Sequence, residues 1–346
     1  MKLIFFLVEV DMEPIREFLL SRIGSRFAPN VVPLFYRKLF AKKSMTETAR
    51  EAWRHALKRE LRNIAAPFST NFAKSCRLLA VCVYRYFLPN GHFPGGVYIF
   101  SDLERLSEEG TTQAKALRRM LARSKSPVRI VNDPDHVRLR YDLLRTLYEQ
   151  GINDFDVYRP IRGELPRKFP VFLRHENSHA GPISNLIENG QELAFALREL
   201  KEQGNLTKHV LIAEFANTAD EKGIYRKYGA FVVGDRVFPK NINCSRNWVT
   251  KTSCLFDPEL LEEERDYVLS DPHHDLLKKI FSAGRIDFGR IDYSVLNGNI
   301  RVWEINTNPT ITVGSQDGRF GERGEIYDLV ESRMCLALDR LLEDQG

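Results

Sequence analysis

Carboxylate, amide and guanidinium side chains alternate near the C-terminal end of the chain, in the segment Arg290–Pro309, which reads RIDYSVLNGNIRVWEINTNP. The pattern predicts two strands joined by a turn. Side chains in a strand alternate with a period of two, so Arg290 and Asp292 share one face of the first strand, and Glu304 and Asn306 share one face of the second. Carboxylate and amide oxygens are ligands that Mg²⁺ prefers, and they indicate a site for Mg²⁺ with nucleotide phosphates.

The length of the turn decides which residues face each other. A three-residue loop over 297–299, with Asn299 in the left-handed conformation, places Asp292 opposite Glu304. Asn-Gly is also the strongest signal for a two-residue turn, which would place Asp292 opposite Trp303. We favour the three-residue loop because the other register points Glu304 away from Asp292. The favoured register also pairs Arg290 with Asn306 and Leu296 with Ile300.

An ordinary hairpin with a charged solvent face is the alternative interpretation of this segment. The run Asn306–Pro309 argues against it, because two Asn residues before a Pro do not continue a strand comfortably. We therefore expect the chain to turn where these polar groups cluster.

The motif EINTNP, after a strand that carries RID, resembles the terminal signature of the ATP-grasp superfamily. This superfamily includes D-alanine–D-alanine ligase, glutathione synthetase and the ribosomal-protein glutamate ligases. The resemblance extends from about Asn132 to the C-terminus. It implies an α/β (α+β) ATP-grasp fold, in which two α+β subdomains clamp the nucleotide and a helix-rich α/β region precedes them.

The resemblance also implies the cofactors and the residues that hold them. The cofactors would be ATP and Mg²⁺, with Mn²⁺ as an alternative metal. Arg290 would be a catalytic residue that stabilises charge on the transferred phosphoryl group. The metal ligands would be Asp292, Glu304 and Asn306.

Two arginines stand where the family has phosphate-contacting lysines. Arg140 has the expected spacing from Leu147 near a helix end, and Arg174 lies at the end of the strand Phe169–His175. Both exchanges depart from the family, although Arg can bind phosphate bidentately. Arg174 is expected to serve in catalysis as well as in nucleotide binding. Arg138 and Arg145 compete with Arg140 for the first role.

The strand Val210–Ala216 corresponds to the adenine hinge of the family. Backbone groups of Phe215 and Ala216 would read the base edge, and Glu214 would accept from the amino group. The acid that binds ribose in the family has no clear counterpart. Its candidates are Asp220 and Glu221, while the aligned position holds Lys227. Three cations could face an anionic substrate or the transferred phosphate, namely Lys240, Arg246 and Lys251.

The segment Glu176–Gly181 takes the place of a flexible loop that closes over the phosphates in the family. It contains one glycine, so we expect it to be stiffer and more polar. His179 within it could contact a phosphate or a substrate, although a lone loop histidine is more often simply exposed.

Composition is that of a globular protein of two or three domains, with 346 residues, 43% hydrophobic and 28% charged. The N-terminal apolar run is too short for a signal peptide, and the run 78–88 is broken by Arg85 and too short to span a bilayer. Five scattered cysteines without a CxxC pair predict a reduced, cytoplasmic setting. The chain contains no Walker-type, GxGxxG, GxSxG or HExxH motif.

Positive charge is concentrated in residues 1–90, which hold 16 Lys and Arg against 7 Asp and Glu. Such an excess is usually a solvated helical face, and Thr46–Ile64 has the corresponding apolar spacing. We do not expect nucleic acid to be a partner, but this region leaves other anionic partners open. A homodimer is also left open.

Periodicity and chain breakers indicate a helix-rich region at 1–130, and the resemblance implies an ATP-grasp domain at 131–346. We expect a nucleotide-clamping subdomain at about 165–240 and a metal-site subdomain at about 241–346. The predicted elements around the boundary are the strands Val97–Phe100 and Val128–Val131 and the helices Thr111–Arg123 and Asp135–Gln150.

The resemblance implies an ATP- and Mg²⁺-dependent ligase that joins a small-molecule or peptide carboxylate to an amine, or to a thiol, through an acyl phosphate. One alternative is a kinase that uses the same fold to phosphorylate a hydroxyl group. The other is a non-catalytic nucleotide-binding module. The Lys-to-Arg exchanges favour it slightly, whereas the intact set of Asp292, Glu304 and Asn306 argues against it, because an inactive copy has little need of all three metal ligands.

Overall fold

A computed structural model describes residues 4–8, 79–83, 95–178, 180–250, 255, 257–309 and 323–343. The chain divides into two compact units. One comprises Met1–Ser101, Glu108–Ile130 and Asn308–Gly346, and the other comprises Asp102–Ser107 and Val131–Thr307. The domain boundaries expected from the sequence stay a prediction. No helix in the described ranges is long and apolar enough to cross a membrane.

The first unit contains a four-stranded sheet in the order β2-β1-β3-β4. Strand β1 (Ile4–Val8) pairs in parallel with β2 (Leu79–Val83) and with β3 (Gly96–Phe100). Helix α1 (Glu108–Leu121) connects β3 to β4 (Val128–Val131), and its apolar face is buried at Ala114, Leu117 and Leu121. The helix α6 (Gly324–Glu343) completes the described part of this unit.

The second unit begins with helix α2 (Arg140–Glu149) and a three-stranded antiparallel sheet. In that sheet β7 (Val210–Glu214) lies between β5 (Val157–Tyr158) and β6 (Val171–His175). Helix α3 (Gly190–Glu202) packs Leu193 against one face, and Asn189 caps it by accepting from two backbone N–H groups. The buried cluster on this face comprises Tyr158, Val171, Leu173, Ile187, Leu193 and Ile212.

A four-stranded antiparallel sheet in the order β11-β10-β8-β9 forms the rest of the second unit. The hairpin β8 (Tyr225–Val233) and β9 (Arg236–Ser245) is followed by helices α4 (Pro258–Ser270) and α5 (His274–Gly284). The hairpin β10 (Phe288–Leu296) and β11 (Asn299–Asn306) then pairs with β8 through β10. The apolar side chains Val232, Leu277, Ile280, Phe281, Ile291 and Ile305 are buried in this unit.

The β10–β11 hairpin has a two-residue turn, so the predicted three-residue loop is wrong. Asn297 and Gly298 have φ values of 52° and 76°, and Leu296 pairs with Asn299. The predicted pairs Asp292–Glu304 and Arg290–Asn306 are nevertheless confirmed. A β-bulge at Trp303 explains how the shorter turn still gives the predicted pairs, because one extra residue in β11 restores the register.

Helix α2 begins at Arg140, whereas the sequence predicted a helix from Asp135. The preceding residues form a turn, in which the Asp133 carboxylate accepts from the backbone N–H of Asp135. The chain is then extended at Leu139, and the Arg138 N–H donates to the carbonyl of Gly284. The N–H groups of Asp135 and Arg138 thus donate to partners outside helix α2, and that helix begins only at Arg140.

The described sheets and helices confirm the α/β (α+β) class. The remaining predicted strands and helices lie within a few residues of those observed. Three sequence interpretations fall outside the described residues, namely the helix Thr46–Ile64, His179 and Lys251.

Candidate functional site

One row of residues crosses all four strands of the β11-β10-β8-β9 sheet and brings the acidic residues together. From the edge strand β11 across to the other edge strand β9, Glu304 faces Asp292, Asp292 faces Gly229, and Gly229 faces Asn241. A β carbon on Gly229 would lie 2.9 Å from the Asn241 side-chain oxygen, so any other residue at this position would make that side chain shift. The row therefore collects two carboxylates and an amide on one patch of the sheet.

Asp292 is buried between two cations. Arg290, two residues earlier on the same strand, places its Nε 2.8 Å from Oδ1, and Lys227 on β8 places its Nζ 3.1 Å from Oδ2. Burial raises the pKa of the Asp292 carboxyl, but the charges of Arg290 and Lys227 outweigh it and lower the pKa to about 2. Asp292 is therefore ionised at neutral pH.

Glu304 pairs with the two arginines predicted as phosphate contacts. Arg140 Nη2 donates to Glu304 Oε2, and Arg174 Nη2 lies 3.3 Å from the same oxygen. Burial lowers the pKa of Arg174 well below its usual range, and the neighbouring charge of Arg140 lowers it further. Two guanidinium groups therefore converge on one carboxylate oxygen.

Arg140 also holds the loop after β6. Its Nη1 donates to the carbonyl oxygens of His175, Glu176 and Ser178, at 3.0, 2.6 and 3.0 Å. Burial lowers the pKa of Arg140 to about 10, although nearby carboxylates oppose the shift. Glu176 is held in addition by Arg159, whose Nη2 lies 2.7 Å from its Oε2. This loop, which the sequence predicted to be stiff, is tied down by two arginines.

The site contains more cations than anions. Five cations surround or act electrostatically on the carboxylate pair, namely Arg140, Arg174, Lys227, Lys240 and Arg290. The facing acids are Asp292 and Glu304, together with Glu104 and Glu176, whose charges act on Arg140. Glu176 is in turn paired with Arg159. Buried charge is costly unless it is compensated. Within the described part of the chain, the buried Nε atoms of Arg140 and Arg174 also have no hydrogen-bond partner. This surplus suits a polyanion.

The oxygen donors of the patch suit Mg²⁺, which prefers carboxylate and amide oxygens. Asp292 and Glu304 face each other, and Asn306 ends β11 opposite Arg290. Among the described residues, no group of three or more His, Cys, Asp and Glu side chains could hold a metal ion. A metal here would therefore be held by two carboxylates together with the amide of Asn306.

The predicted adenine hinge lies at the end of β7. Glu214 is buried, and its two oxygens accept from the Tyr158 hydroxyl and from the backbone N–H groups of Asp156, Arg167 and Lys168. These bonds fix the approach to the hinge. Phe215 and Ala216 follow at the surface of the sheet, and the Phe215 N–H donates to the carbonyl of Pro170.

Trp248, which the sequence interpretation missed, packs against the hinge. It lies in the loop after β9, and its ring centroid is 5.1 Å from that of Phe172 and 5.6 Å from that of Phe215.

The candidate ribose-binding acid Asp220 already has partners within the protein, since it accepts from Arg226 and from the backbone N–H groups of Lys222 and Ile224.

Glu104 was also missed. It is buried, and its carboxylate accepts from the backbone N–H and the hydroxyl of Thr307, directly after Asn306. A distance of 203 residues along the chain separates the two partners, so no local pattern could have joined them.

The predicted Lys240 is the extra residue of a second bulge, between Pro239 and Asn241 on β9.

No protein-family model matches the chain, and a comparison with curated protein sequences finds no match either. Among solved structures, D-alanine–D-alanine ligase from Bacillus anthracis, complexed with ATP, aligns over 100% of both chains at 10% identity and a TM-score of 0.47. L-amino acid ligase from Bacillus licheniformis aligns over 99% of this chain and 74% of its own, at 14% identity and a TM-score of 0.42.

A RimK domain ATP-grasp protein from Sphaerobacter thermophilus aligns over 79% of this chain and 94% of its own, at 14% identity and a TM-score of 0.39. This Sphaerobacter thermophilus structure is described as that of an ATP-grasp protein.

Proposed function

We propose that this protein binds ATP with Mg²⁺ and joins a carboxylate to an amine through an acyl phosphate. The observation that carries the proposal is the surplus of buried cations around Asp292 and Glu304. A triphosphate would neutralise this surplus, and the two carboxylates would accept the accompanying metal ion. The members of the superfamily that the terminal motif resembles include ligases, and product analysis separates a ligase from a kinase that uses the same nucleotide residues.

In this proposal the charged residues are either metal ligands or phosphate contacts. Asp292, Glu304 and Asn306 hold the metal, which supplies charge neutralisation across the phosphates when it is bound. Arg174 binds the phosphates, and Arg290 stabilises the charge that develops on the transferred phosphoryl group. Arg140 and Lys240 add positive charge for the phosphates.

The remaining nucleotide contacts lie at the hinge. Backbone groups of Phe215 and Ala216 would meet the base edge. Glu214 already accepts four hydrogen bonds from the protein, so in this proposal it shapes the hinge as well as accepting from the adenine amino group.

The proposed reaction has two steps. A carboxylate oxygen of the first substrate attacks the γ-phosphorus of ATP, an O–P bond forms, and the bond to the β–γ bridging oxygen breaks to release ADP. The amine nitrogen then attacks the acyl carbon, a C–N bond forms, and inorganic phosphate leaves as the nitrogen loses a proton. The protein contributes mainly positioning and charge stabilisation.

The test measures Mg²⁺-dependent formation of ADP from ATP across a panel of carboxylates, with hydroxylamine as the amine. Hydroxylamine converts an acyl phosphate to a hydroxamate, so a ligase yields hydroxamate and ADP together. A kinase would yield ADP and a phosphorylated hydroxyl compound without hydroxamate. Nucleotide binding without turnover of any compound would support the non-catalytic module.

Variants connect the activity to the site. We expect Asp292→Asn, Glu304→Gln and Arg174→Ala each to lower turnover by roughly 10²–10³-fold while the fold is kept. The matched control is Glu262→Gln, an exposed glutamate on α4. Full activity in Glu304→Gln would overturn the assignment of the site.

A further inference from the structure

Both carboxylates of the candidate metal site are already paired with cations of the protein. Lys227 Nζ lies 3.1 Å from Asp292 Oδ2, and Arg174 Nη2 lies 3.3 Å from Glu304 Oε2. These nitrogen atoms lie within hydrogen-bond distance of the same oxygen atoms that a metal ion would contact. A metal ion arriving alone would therefore meet both electrostatic repulsion and occupied ligands.

Lys227 is the pairing cation that is best able to move. Arg290 lies on the same strand as Asp292 and contacts both of its oxygens, whereas Lys227 reaches Asp292 from the neighbouring strand β8. A lysine ammonium is a compact charge on a flexible four-carbon stem, so it can rotate from one anion to another at little cost. About a fifth of the Lys227 side chain is exposed, which leaves room for this rotation.

We propose that Lys227 guards Asp292 in the nucleotide-free protein, and that the metal ion enters only together with a nucleotide. The inference rests on the proposed function, because the phosphates are what draw Lys227 away from the carboxylate. Once Lys227 has moved to a phosphate oxygen, Asp292 keeps Arg290 as an ion-pair partner and can share its carboxylate with the metal. Lys227 is then a phosphate ligand, at the position where the family resemblance led us to look for a ribose-binding acid.

A reciprocal coupling between the two ligands follows. If nucleotide raises the affinity for metal, metal must raise the affinity for nucleotide by the same factor. A site with free carboxylates would show metal binding without nucleotide, whereas a guarded site shows it only with nucleotide.

The experiment titrates the full chain with Mn²⁺ and follows the signal of free Mn²⁺ by electron paramagnetic resonance, with and without ADP. Binding of Mn²⁺ by ADP alone is measured separately and subtracted. We expect Mn²⁺ to bind at least tenfold more weakly when ADP is absent. Equal affinities with and without ADP would overturn the inference.

A charge-removing variant tests the role of Lys227 directly. We expect Lys227→Met to bind Mn²⁺ without nucleotide at least tenfold more tightly than the native chain. Lys227→Arg, which keeps the charge, should stay as weak as the native chain. The matched control is Lys222→Met, because Lys222 is exposed and its Nζ lies 4.0 Å from Glu259, away from the site. An unchanged Mn²⁺ affinity in folded Lys227→Met would refute the guarding role.

The two proposals fail in different ways. If calorimetry detects no binding of ADP or ATP, the proposed function is wrong, but the comparison of Lys227→Met with the native chain still tests the guarding role. If nucleotide binds and Mn²⁺ binds equally well without it, the guarding role alone is wrong. If Lys227→Met does not fold, the native titration with and without ADP decides.

Discussion

Gly289 on β10 lies so close to Asn306 on β11 that a β carbon at residue 289 would be 2.8 Å from the Asn306 carbonyl oxygen. Because this neighbour is backbone, β11 would have to shift to admit any side chain. We predict that Gly289→Ala lowers the free energy of unfolding by roughly 1–3 kcal/mol, as overpacking does. It should also weaken Mn²⁺ binding in the presence of ADP, since Asn306 is a proposed ligand.

Urea unfolding and the Mn²⁺ titration measure these two effects. The control is Gly190→Ala at the start of α3, where a β carbon would meet nothing within 4 Å. Its stability should stay within about 0.5 kcal/mol of the native value. Native stability and native metal binding in Gly289→Ala would show that β11 adapts without cost.

The pairing of Asp292 with Glu304 could be predicted from sequence, but the combination of turn and bulge that produces this pairing could not. Turn preference alone favours the two-residue turn at Asn297-Gly298, which is the turn observed. The missing element was the bulge at Trp303. Its indole stacks on Phe155 with ring centroids 5.2 Å apart, and this long-range packing has no signature in the local sequence.

Charged residues that lie within the hairpin could be predicted from sequence, whereas residues that reach the site from distant segments could not. Arg290, Asp292 and Glu304 lie within one hairpin, so strand periodicity relates them directly. Glu104 and Trp248 reach the second unit's site through contacts between distant segments. Periodicity describes neighbours along the chain, whereas these contacts depend on how the sheets pack.

Acid should reveal the contribution of Asp292 to stability. Its pKa in the folded protein, about 2, lies below the roughly 3.9 of an unfolded Asp. The ionised carboxylate therefore stabilises the fold above pH about 4, and this stabilisation is lost as the pH falls from about 4 to about 2. The shift corresponds to roughly 2–3 kcal/mol.

We predict that Asp292→Asn removes this part of the pH dependence, so that its unfolding free energy falls less steeply between pH about 4 and about 2. Urea unfolding at a series of pH values measures the slope. Asp235→Asn, in the exposed turn between β8 and β9, is the matched control and should keep the native slope. The same slope in Asp292→Asn as in the native chain would contradict the prediction.

Arg140 should control the rigidity of the loop after β6, because its Nη1 donates to three carbonyl oxygens of that loop. We predict that Arg140→Met speeds hydrogen exchange of the backbone amides at 176–178. The free energy of unfolding should fall by about 3 kcal/mol, the lower end for a broken buried pair, since Arg174 still pairs with Glu304.

Hydrogen exchange read by mass spectrometry follows the loop, and urea unfolding follows the stability. Arg162→Met, at an exposed arginine, should change neither quantity. Arg140→Lys keeps the charge but cannot reach three carbonyls and a carboxylate with one planar fork, so it should restore stability only in part. Native exchange rates in Arg140→Met would mean that Arg159 and Glu176 hold the loop without it.

Trp248 should select for the base and not for the phosphates. Its ring packs on Phe172 and edge-on against Phe215, whose backbone is the proposed adenine hinge. The cations proposed to bind the phosphates are not among these ring contacts. We predict that Trp248→Leu weakens ATP binding by roughly tenfold, which is the worth of such aromatic contacts. Binding of inorganic tripolyphosphate should be unchanged, because that compound has no base.

Calorimetric titration of the same preparations with ATP and with tripolyphosphate separates the two effects. The control is Phe195→Leu, an exposed aromatic on α3 that should leave both affinities at their native values. If Trp248→Leu lost affinity for both compounds equally, the indole would support the whole site and not the hinge, and thermal unfolding would then show a matching loss of stability. Selective loss of ATP binding requires that the indole act through Phe172 and Phe215, since its described ring contacts are with those two residues.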